Sequence, residues 1–213
     1  MSARDERGTV KIALYGASGM FGSRIAAEAI LRHHEVTGLT RTGSVELPEG
    51  CMPRQGDAAD ALDVARIAAE HDVVVSAIGP SRTGGRHKVY LDTMAVLGEN
   101  VGTRRLIVVG NAGSLLVAPD LRLMDTAGFP PGARAEAETQ LAALELLRDT
   151  GALLDWVYLS PAPFIAPGER RGTYRRGVDM VLGDQISAED FAIAVLDEVE
   201  HPLHHRSRFT VAW

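Results

Sequence analysis

Three glycines spaced three residues apart stand where an apolar run gives way to a helical pattern, in the stretch YGASGMFGSR. The run before them, 9–15, is rich in β-branched residues and predicts a short buried strand. The stretch after them, 21–32, repeats apolar residues at helical spacing. Because Gly16, Gly19 and Gly22 lack a side chain, the backbone can turn sharply there and come close to another group. The pattern predicts a strand, a tight turn and a helix, with something held against the turn.

The same alternation of strands and helices continues along the chain. Further strands are predicted at 35–40, 72–78, 105–109, 153–159 and 208–212, and helices at 60–70, 90–98 and 133–148. A last helix begins at Ser187, whose S-x-x-D spacing with Asp190 is typical of a capping box. Short strands that alternate with helices imply β-α-β crossovers. We expect one α/β domain over 1–213: a doubly wound, mostly parallel sheet with helices on both faces, to which 161–213 adds a small C-terminal lobe on the substrate side.

The composition limits the classes of partner. Hydrophobic residues make up 46% of the chain and charged residues 23%, as in globular proteins. The formal net charge of −6 argues against nucleic acid and anionic membranes, because both need a basic excess. No run reaches the roughly 18 apolar residues of a membrane span, and the charged N-terminus does not resemble a secretory signal. Cys51 is the lone cysteine and the seven histidines lack ligand spacing, so we expect no disulfide, no metal site and a cytoplasmic location.

The glycine turn is predicted to hold a pyrophosphate. In a doubly wound sheet, ligands bind beyond the carboxyl ends of the strands, where this turn lies. Gly16 would permit the tight turn, Gly19 would let the backbone approach the anion, and Gly22 would let the helix pack against the strand. The amides at the helix start would then favour the negative charge. The candidate binding residues are Gly16, Ser18, Gly19, Met20, Phe21 and Gly22; the alternative is a glycine turn without a ligand.

The end of the second strand indicates which dinucleotide binds. A site selective for NAD usually has an acidic residue here, which binds the ribose 2′-hydroxyl. This chain has Thr40, Arg41 and Thr42 instead. The guanidinium of Arg41 would pair with the 2′-phosphate of NADP. We therefore predict NADP as the cofactor, with NAD possible; the alternative for Arg41 is a solvated surface residue.

Two more stretches fall at the same edge of the predicted sheet. Gly56 and Asp57 follow a presumed strand, and the Asp57 carboxylate could accept a hydrogen bond from the adenine amino group; the alternative is an ordinary loop aspartate. The stretch 76–80 (SAIGP) ends the next strand with mostly small residues, which suit a backbone lying against a ribose. Its candidate binding residues are Ala77, Ile78 and Gly79.

Four stretches of the chain resemble a known family. They read YGASGMFGSRI, VVGNAGSLLVAP, LDWVYLSPAPFIAPGERRGTYRRG and ISAEDFAIAVLDEVEHP. With them, nearly the whole chain is similar to the atypical short-chain dehydrogenases/reductases that include NmrA-like NAD(P)H-binding proteins, NADH-flavin reductase-like proteins and biliverdin reductase B. The resemblance implies a Rossmann-like fold, bound NAD(P)H and reduction of flavins or related planar acceptors.

The resemblance also implies where the reacting ring lies. The stretch 111–114 would line the nicotinamide pocket, and 160–164 would form the wall beside the ring. The residues carried over are Asn111, Ala112, Gly113 and Ser114, and Pro161, Ala162, Pro163 and Phe164. Ser114 is the candidate catalytic residue, as a polar contact to nicotinamide or substrate; the alternative is a serine bonded to its own backbone. For the prolines, the alternative is that they merely end the strand.

The chain lacks the Tyr-x-x-x-Lys pair with which typical short-chain dehydrogenases move a proton. Its lysines are Lys11 and Lys88, and neither follows a tyrosine at this spacing. Hydride transfer to a flavin does not need the pair, because the ring can take its proton from water. An apolar wall that stacks two rings suits this chemistry.

These observations leave two readings of function. The first is an NAD(P)H-dependent reductase, NADPH-preferring, that transfers hydride to a flavin or similar planar acceptor, with the flavin as substrate rather than bound cofactor. The alternative is a non-catalytic NAD(P)-binding redox sensor, as the NmrA-like relatives suggest. A sugar-nucleotide epimerase is weaker, because it needs the missing pair. The expected partners are a small-molecule acceptor and, at most, a second copy of the chain: a monomer or homodimer.

Overall fold

An eight-stranded sheet runs through the computed structural model, which describes residues 8–43, 46–81 and 86–213. Its strands, in the order in which they lie side by side, are β10 (Arg175–Gly177), β12 (Ser207–Ala212), β8 (Trp156–Ser160), β5 (Arg105–Val109), β4 (Val73–Ser76), β1 (Lys11–Tyr15), β2 (Glu35–Thr40) and β3 (Met52–Gln55). All neighbours are parallel except β10, which is antiparallel to β12. The predicted mostly parallel, doubly wound sheet is confirmed.

The helices cover both faces of this sheet. They are α1 (Met20–Leu31), α2 (Ala61–Glu70), α3 (His87–Asn100), α4 (Pro131–Arg148) and α5 (Ala188–Glu200). Alternate residues of a strand point to opposite faces. Accordingly, Ile12 and Leu14 of β1 join the core under α1 and α5, whereas Ala13 and Tyr15 join the core under α2, α3 and α4. Strands buried on both faces explain why β4 and β5 read as continuous apolar runs.

The residues after Pro161 contribute to two different parts of the structure. One part completes the main sheet and its cover: β10 and β12 form one end of the sheet, and α5 packs beside α1. The other part, β9 (Phe164–Ala166) and β11 (Gln185–Ser187), forms a separate two-stranded parallel sheet. A further small sheet, β6 (Leu116–Ala118) and β7 (Leu121–Arg122), follows β5. Beyond the main sheet, 161–213 thus adds the small β9–β11 pair, and a C-terminal lobe of 161–213 on the substrate side stays a prediction.

The start of α5 carries the cap that its sequence predicts, and its Asp190 also binds two residues outside the helix. The Ser187 hydroxyl accepts a hydrogen bond from the Asp190 backbone N–H at 3.0 Å. The fully buried Asp190 carboxylate accepts from the Gly172 N–H at 2.9 Å and from the Trp213 indole N–H at 2.6 Å. Asp190 thus ties the loop before β10 and the residue after β12 to α5.

No helix in the described parts of the chain has both the length and the apolar character needed to cross a membrane.

We predict that Asp190→Ala costs more stability than Ser187→Ala. Loss of a serine cap typically costs about 1 kcal/mol, whereas hydrogen bonds to a charged group are worth about 1.5–3 kcal/mol each, and Asp190 accepts two beyond the cap. Urea unfolding of both variants measures the difference. Equal losses in the free energy of unfolding would contradict the assigned role of Asp190.

Candidate functional site

The turn between β1 and α1 depends on glycine for two separate reasons. Gly16 has a φ of +78°, in the left-handed region that side chains disfavour. A Cβ on Gly16 would also lie 2.9 Å from the carbonyl group of Ala77, just after β4. A Cβ on Gly22 would lie 2.1 Å from the Gly16 carbonyl oxygen. The first and third glycines therefore bring α1 and β4 against the turn.

Gly19 has a different environment. It is the N-cap of α1, with φ −75° and ψ 171°, and its N–H donates to the Gly16 carbonyl at 3.0 Å. The one atom within 4 Å of a Cβ built there is that same carbonyl oxygen, at 3.3 Å, as far as the described residues extend. The space in front of Gly19 is thus open to a ligand, as the predicted close approach requires.

The N-terminus of α1 is suited to an anion. No side chain caps it, and its first turn contains no acidic residue. The first amides of a helix lack partners within the helix and carry a partial positive charge. An uncapped helix start with open space in front of it is the arrangement at which proteins commonly bind phosphate. The residues present therefore fit the predicted pyrophosphate.

A cavity of about 220 Å³ lies beside this helix start, between the ends of β4 and β5 and one side of α4. Most of its lining residues are of apolar types, and they come from both halves of the sheet. They are Met20, Phe21, Ala77, Ile78, Gly79, Pro80, Val109, Gly110, Glu136 and Gln140. The first five of these belong to the predicted site, so the structure brings the glycine turn and the 77–79 stretch together.

Glu136 and Gln140 also line the cavity, although no sequence motif predicts a role for them. Both lie on α4, four positions apart, in line with the core residue Leu144. The one sign of them in the sequence is their spacing: the two polar residues continue the apolar face of α4 that ends in the core at Leu144. The Gln140 side chain is 5% exposed and donates to a Glu136 carboxylate oxygen at 3.4 Å.

Arg41 lies at the end of β2, as predicted, with its side chain exposed. Its backbone is fixed, because the Gln55 amide donates to the Arg41 carbonyl at 3.1 Å. Next to it, the Gly43 N–H donates to the Thr40 hydroxyl at 3.0 Å. Within the described residues, the guanidinium of Arg41 has neither a hydrogen-bond nor an ion-pair partner. The geometry leaves this cation available to a ligand.

Asp57 follows β3, which is the neighbour of β2, so it lies at the same edge as Arg41. Its carboxylate already accepts from the Ala59 N–H at 2.9 Å. A carboxylate has further lone pairs, so it can still accept from an adenine amino group. Binding by Arg41 and by Asp57 both stay predictions.

Ser114 lies inside the protein rather than at the cavity surface. It is 2% exposed, and its hydroxyl accepts from the Arg208 guanidinium at 2.8 Å. Arg208, on β12, also binds the Asp179 carboxylate at 2.5 Å. Ser114 therefore fastens the turn after β5 to β12, a partner that the sequence did not reveal. A contact between Ser114 and nicotinamide stays a prediction, as does the lining role of Asn111, Ala112 and Gly113.

Of the four residues predicted to form the wall beside the ring, two are buried and two are exposed. Pro161 and Ala162 are buried, whereas Pro163 is exposed and the Phe164 side chain is 76% exposed. The Phe164 N–H donates to the Asp184 carbonyl at 2.9 Å, which fixes the start of β9. None of these residues is among the described residues that line the cavity. Their contact with an acceptor stays a prediction.

Tyr158 holds the floor of the cavity in place. A Cβ on Gly110 would lie 2.0 Å from the Tyr158 ring, so only glycine fits over it. The Tyr158 hydroxyl donates to the Gln140 carbonyl oxygen at 3.1 Å and reaches its side-chain oxygen at 3.2 Å.

Burial raises the pKa of Tyr158 well above its usual value. Burial, followed by the charge of Glu136, also raises the pKa of Tyr90. Both phenols therefore stay neutral. A tyrosine that shuttles a proton would instead have to lose its own proton during the reaction.

A glycine turn at the carboxyl edge of a parallel sheet, with an uncapped helix start behind it, defines a dinucleotide-binding α/β protein of the doubly wound class. The chain belongs to the NAD(P)H-binding family, whose model matches residues 16–202. Membership includes binding of a nicotinamide dinucleotide, and the Rossmann-like fold is confirmed.

Relatives match over nearly their full length. YwnB of Bacillus subtilis is 40% identical over 218 aligned positions, which cover 95% of this chain and 98% of YwnB. A solved structure from Burkholderia pseudomallei, described as a "putative exported protein", is 39% identical with a TM-score of 0.86, covering 96% and 100% of the two chains. A "putative NADH-flavin reductase" from Streptococcus pneumoniae is 29% identical with a TM-score of 0.84, covering 95% and 98%.

We predict opposite outcomes for two alanine substitutions in the turn. Gly22→Ala places a Cβ 2.1 Å from a backbone oxygen, and overpacking of this kind typically costs about 1–3 kcal/mol. Gly19→Ala meets one atom at 3.3 Å and has a permitted φ, so the free energy of unfolding should change by less than about 1 kcal/mol. Urea unfolding of the pair measures both. A Gly22→Ala variant as stable as the wild type would refute the close packing of α1 on the turn.

Proposed function

We propose that this protein is an NADPH-preferring reductase that transfers hydride to a flavin or another flat, electron-poor acceptor. The observation that carries the proposal is the cavity beside the uncapped start of α1, most of whose lining residues are apolar. A dinucleotide whose pyrophosphate lies at Gly19 would direct its nicotinamide end into this cavity. The S. pneumoniae relative, whose description names a flavin reductase, supports the acceptor class.

Three groups of this chain would hold the adenosine half. The turn and the α1 amides would bind the pyrophosphate, the Arg41 guanidinium the 2′-phosphate, and the Asp57 carboxylate the adenine amino group. Arg41 supports NADP over NAD because its guanidinium has no partner among the described residues, while Gln55 fixes the backbone below it. A guanidinium matches the geometry of a phosphate with two parallel hydrogen bonds.

The cavity residues would position the reacting ring and keep water away from it. The bound dinucleotide supplies the hydride. Met20, Ile78 and Pro80 offer apolar surfaces against which flat rings stack. Tyr158, bonded to Gln140 and packed under Gly110, keeps the end of β5 rigid. Pre-organised positioning is the main contribution a protein makes when the cofactor does the chemistry.

The protonation of the acceptor does not require a phenol in this scheme. The pKa of Tyr90 and the pKa of Tyr158 are both raised by burial. A flavin reduced at a ring nitrogen can take its proton from water. These facts favour a planar acceptor over a ketone, which needs a proton donor at its oxygen.

The test of this proposal is NADPH oxidation by the purified protein with FMN, riboflavin or quinones as acceptors. We expect oxidation that depends on both protein and acceptor. Gly19→Val is the matched control: its side chain would fill the pyrophosphate site while its backbone angles remain allowed, so the rate should fall to that of the protein-free reaction. Tight NADPH binding without acceptor-dependent oxidation would instead favour the redox sensor.

The same assay tests the role of the tyrosines. Tyr90→Phe should keep turnover within a few-fold of the wild type. General acid catalysis contributes about 10²–10⁴-fold, so a loss of that size would contradict a mechanism without a phenolic donor. Phe164→Ala should lower flavin turnover if this exposed ring forms part of the wall.

We predict that Arg41→Ala weakens NADPH binding and leaves NADH binding nearly unchanged. The loss should be about 1.5–3 kcal/mol, the range for hydrogen bonds to charged groups. Titration calorimetry with both dinucleotides measures it. Arg54→Ala, on the adjacent strand, is the control, because the Arg54 guanidinium is already paired with Glu70 at 2.6 Å. Equal losses for NADPH and NADH would indicate a structural role for Arg41.

A further inference from the structure

Two segments that line the cavity are far apart in the chain. One is the 77–80 stretch that follows β4, and the other is the side of α4 that carries Gln140. The Ala77 N–H donates to the Tyr15 carbonyl at 2.9 Å, which fixes the first end of the stretch to β1. The other end, at Ser81, is bonded to a histidine of a third element.

That histidine is His87, the first residue of α3, and it reaches both segments. Its Nε2 lies 3.1 Å from the Ser81 carbonyl oxygen, and its Nδ1 lies 2.7 Å from the Thr139 hydroxyl oxygen. Thr139 is 8% exposed and stands directly before Gln140 on α4. One imidazole ring thus connects the end of the 77–80 stretch to α4.

The two partners of His87 determine where the protons lie. A carbonyl oxygen only accepts, so Nε2 carries a proton and donates it to Ser81. In the neutral ring Nδ1 is then an acceptor, and the Thr139 hydroxyl donates to it. The same hydroxyl oxygen lies 2.7 Å from the Ala135 carbonyl oxygen of its own helix, but its one proton serves one acceptor at a time. The bridge to α4 therefore depends on the Thr139 hydroxyl as well as on the ring.

We propose that His87 is a positioning residue that fixes the spacing between the 77–80 stretch and α4. The inference rests on the proposed function, which directs the nicotinamide end into this cavity. His87 is not among the described residues that line the cavity, so it acts through its neighbours: Ser81 directly follows the lining residue Pro80, and Thr139 directly precedes Gln140. A ring packed between two segments needs their separation to be held, because a gap of about 1 Å forfeits up to about half of the contact energy.

The experiment compares dissociation constants for NADPH and for 2′-phospho-ADP-ribose, which is the same molecule without the nicotinamide. The ratio of the two constants isolates the nicotinamide end. His87→Leu removes both hydrogen bonds, and Thr139→Val removes one with little change of shape. We expect either variant to weaken NADPH binding about tenfold, the size of one lost hydrogen bond, and to leave binding of the fragment nearly unchanged. Thr139→Ser keeps a hydroxyl and should keep the wild-type ratio.

Thr93→Val is the matched control, because the Thr93 hydroxyl of α3 is also buried but donates to the Val89 carbonyl of its own helix at 2.8 Å. Its ratio should stay near that of the wild type. A merely structural role of His87 would lower the free energy of unfolding without changing the ratio.

Should His87→Leu fail to fold, Thr139→Val carries the same expectation. An unchanged ratio in either folded variant, or an equal change in Thr93→Val, overturns the inference and leaves the proposed function intact. Failure of the wild type to bind NADPH overturns both.

Discussion

The approach of α1 to the first turn is the constraint on which the site depends. The helix can lie against β1 because Gly22 has no Cβ where the Gly16 carbonyl oxygen stands, 2.1 Å from where that atom would be. Gly16 in turn lets the end of β4 come close. This packing fixes the start of α1, whose Met20 and Phe21 line the cavity opposite Glu136 and Gln140 of α4. The absence of a Cβ at Gly16 and Gly22 thus determines where the start of α1 lies, and with it the place proposed for the pyrophosphate.

Local patterns made much of this fold predictable. The strand, turn and first helix follow from adjacent residues, as does the Ser187 cap, because each depends on backbone preferences within a few positions. The strand β3 (Met52–Gln55) was only presumed, since its residues are mostly exposed and do not alternate. The short strands β6, β7, β9, β10 and β11 escaped prediction, because strands of two or three residues carry too little pattern.

The lining of the cavity was predictable where it comes from one segment and not where it joins distant ones. Glu136 and Gln140 reach the cavity because α4 packs beside Tyr158, a contact between the helix and a later strand. The partner of Ser114 is Arg208, which lies 94 positions away. The residues next to Gln140 or Ser114 in the sequence do not indicate which partner either side chain binds. A polar pair on an apolar helix face is a sign that such a helix borders a cavity, and it can be sought in other chains.

The position of β12 within the sheet has a consequence for the order of folding. This strand lies between β8 and β10, although both precede it in the chain. Contacts between distant segments form late, because the entropy of closing the loop must be overcome first. During synthesis, β10 has no strand to pair with, and Arg208 is not yet present to bind Ser114. The Arg208 contact to the turn after β5 therefore forms only once the final strand is present, so we expect full competence to bind a dinucleotide to appear late in synthesis.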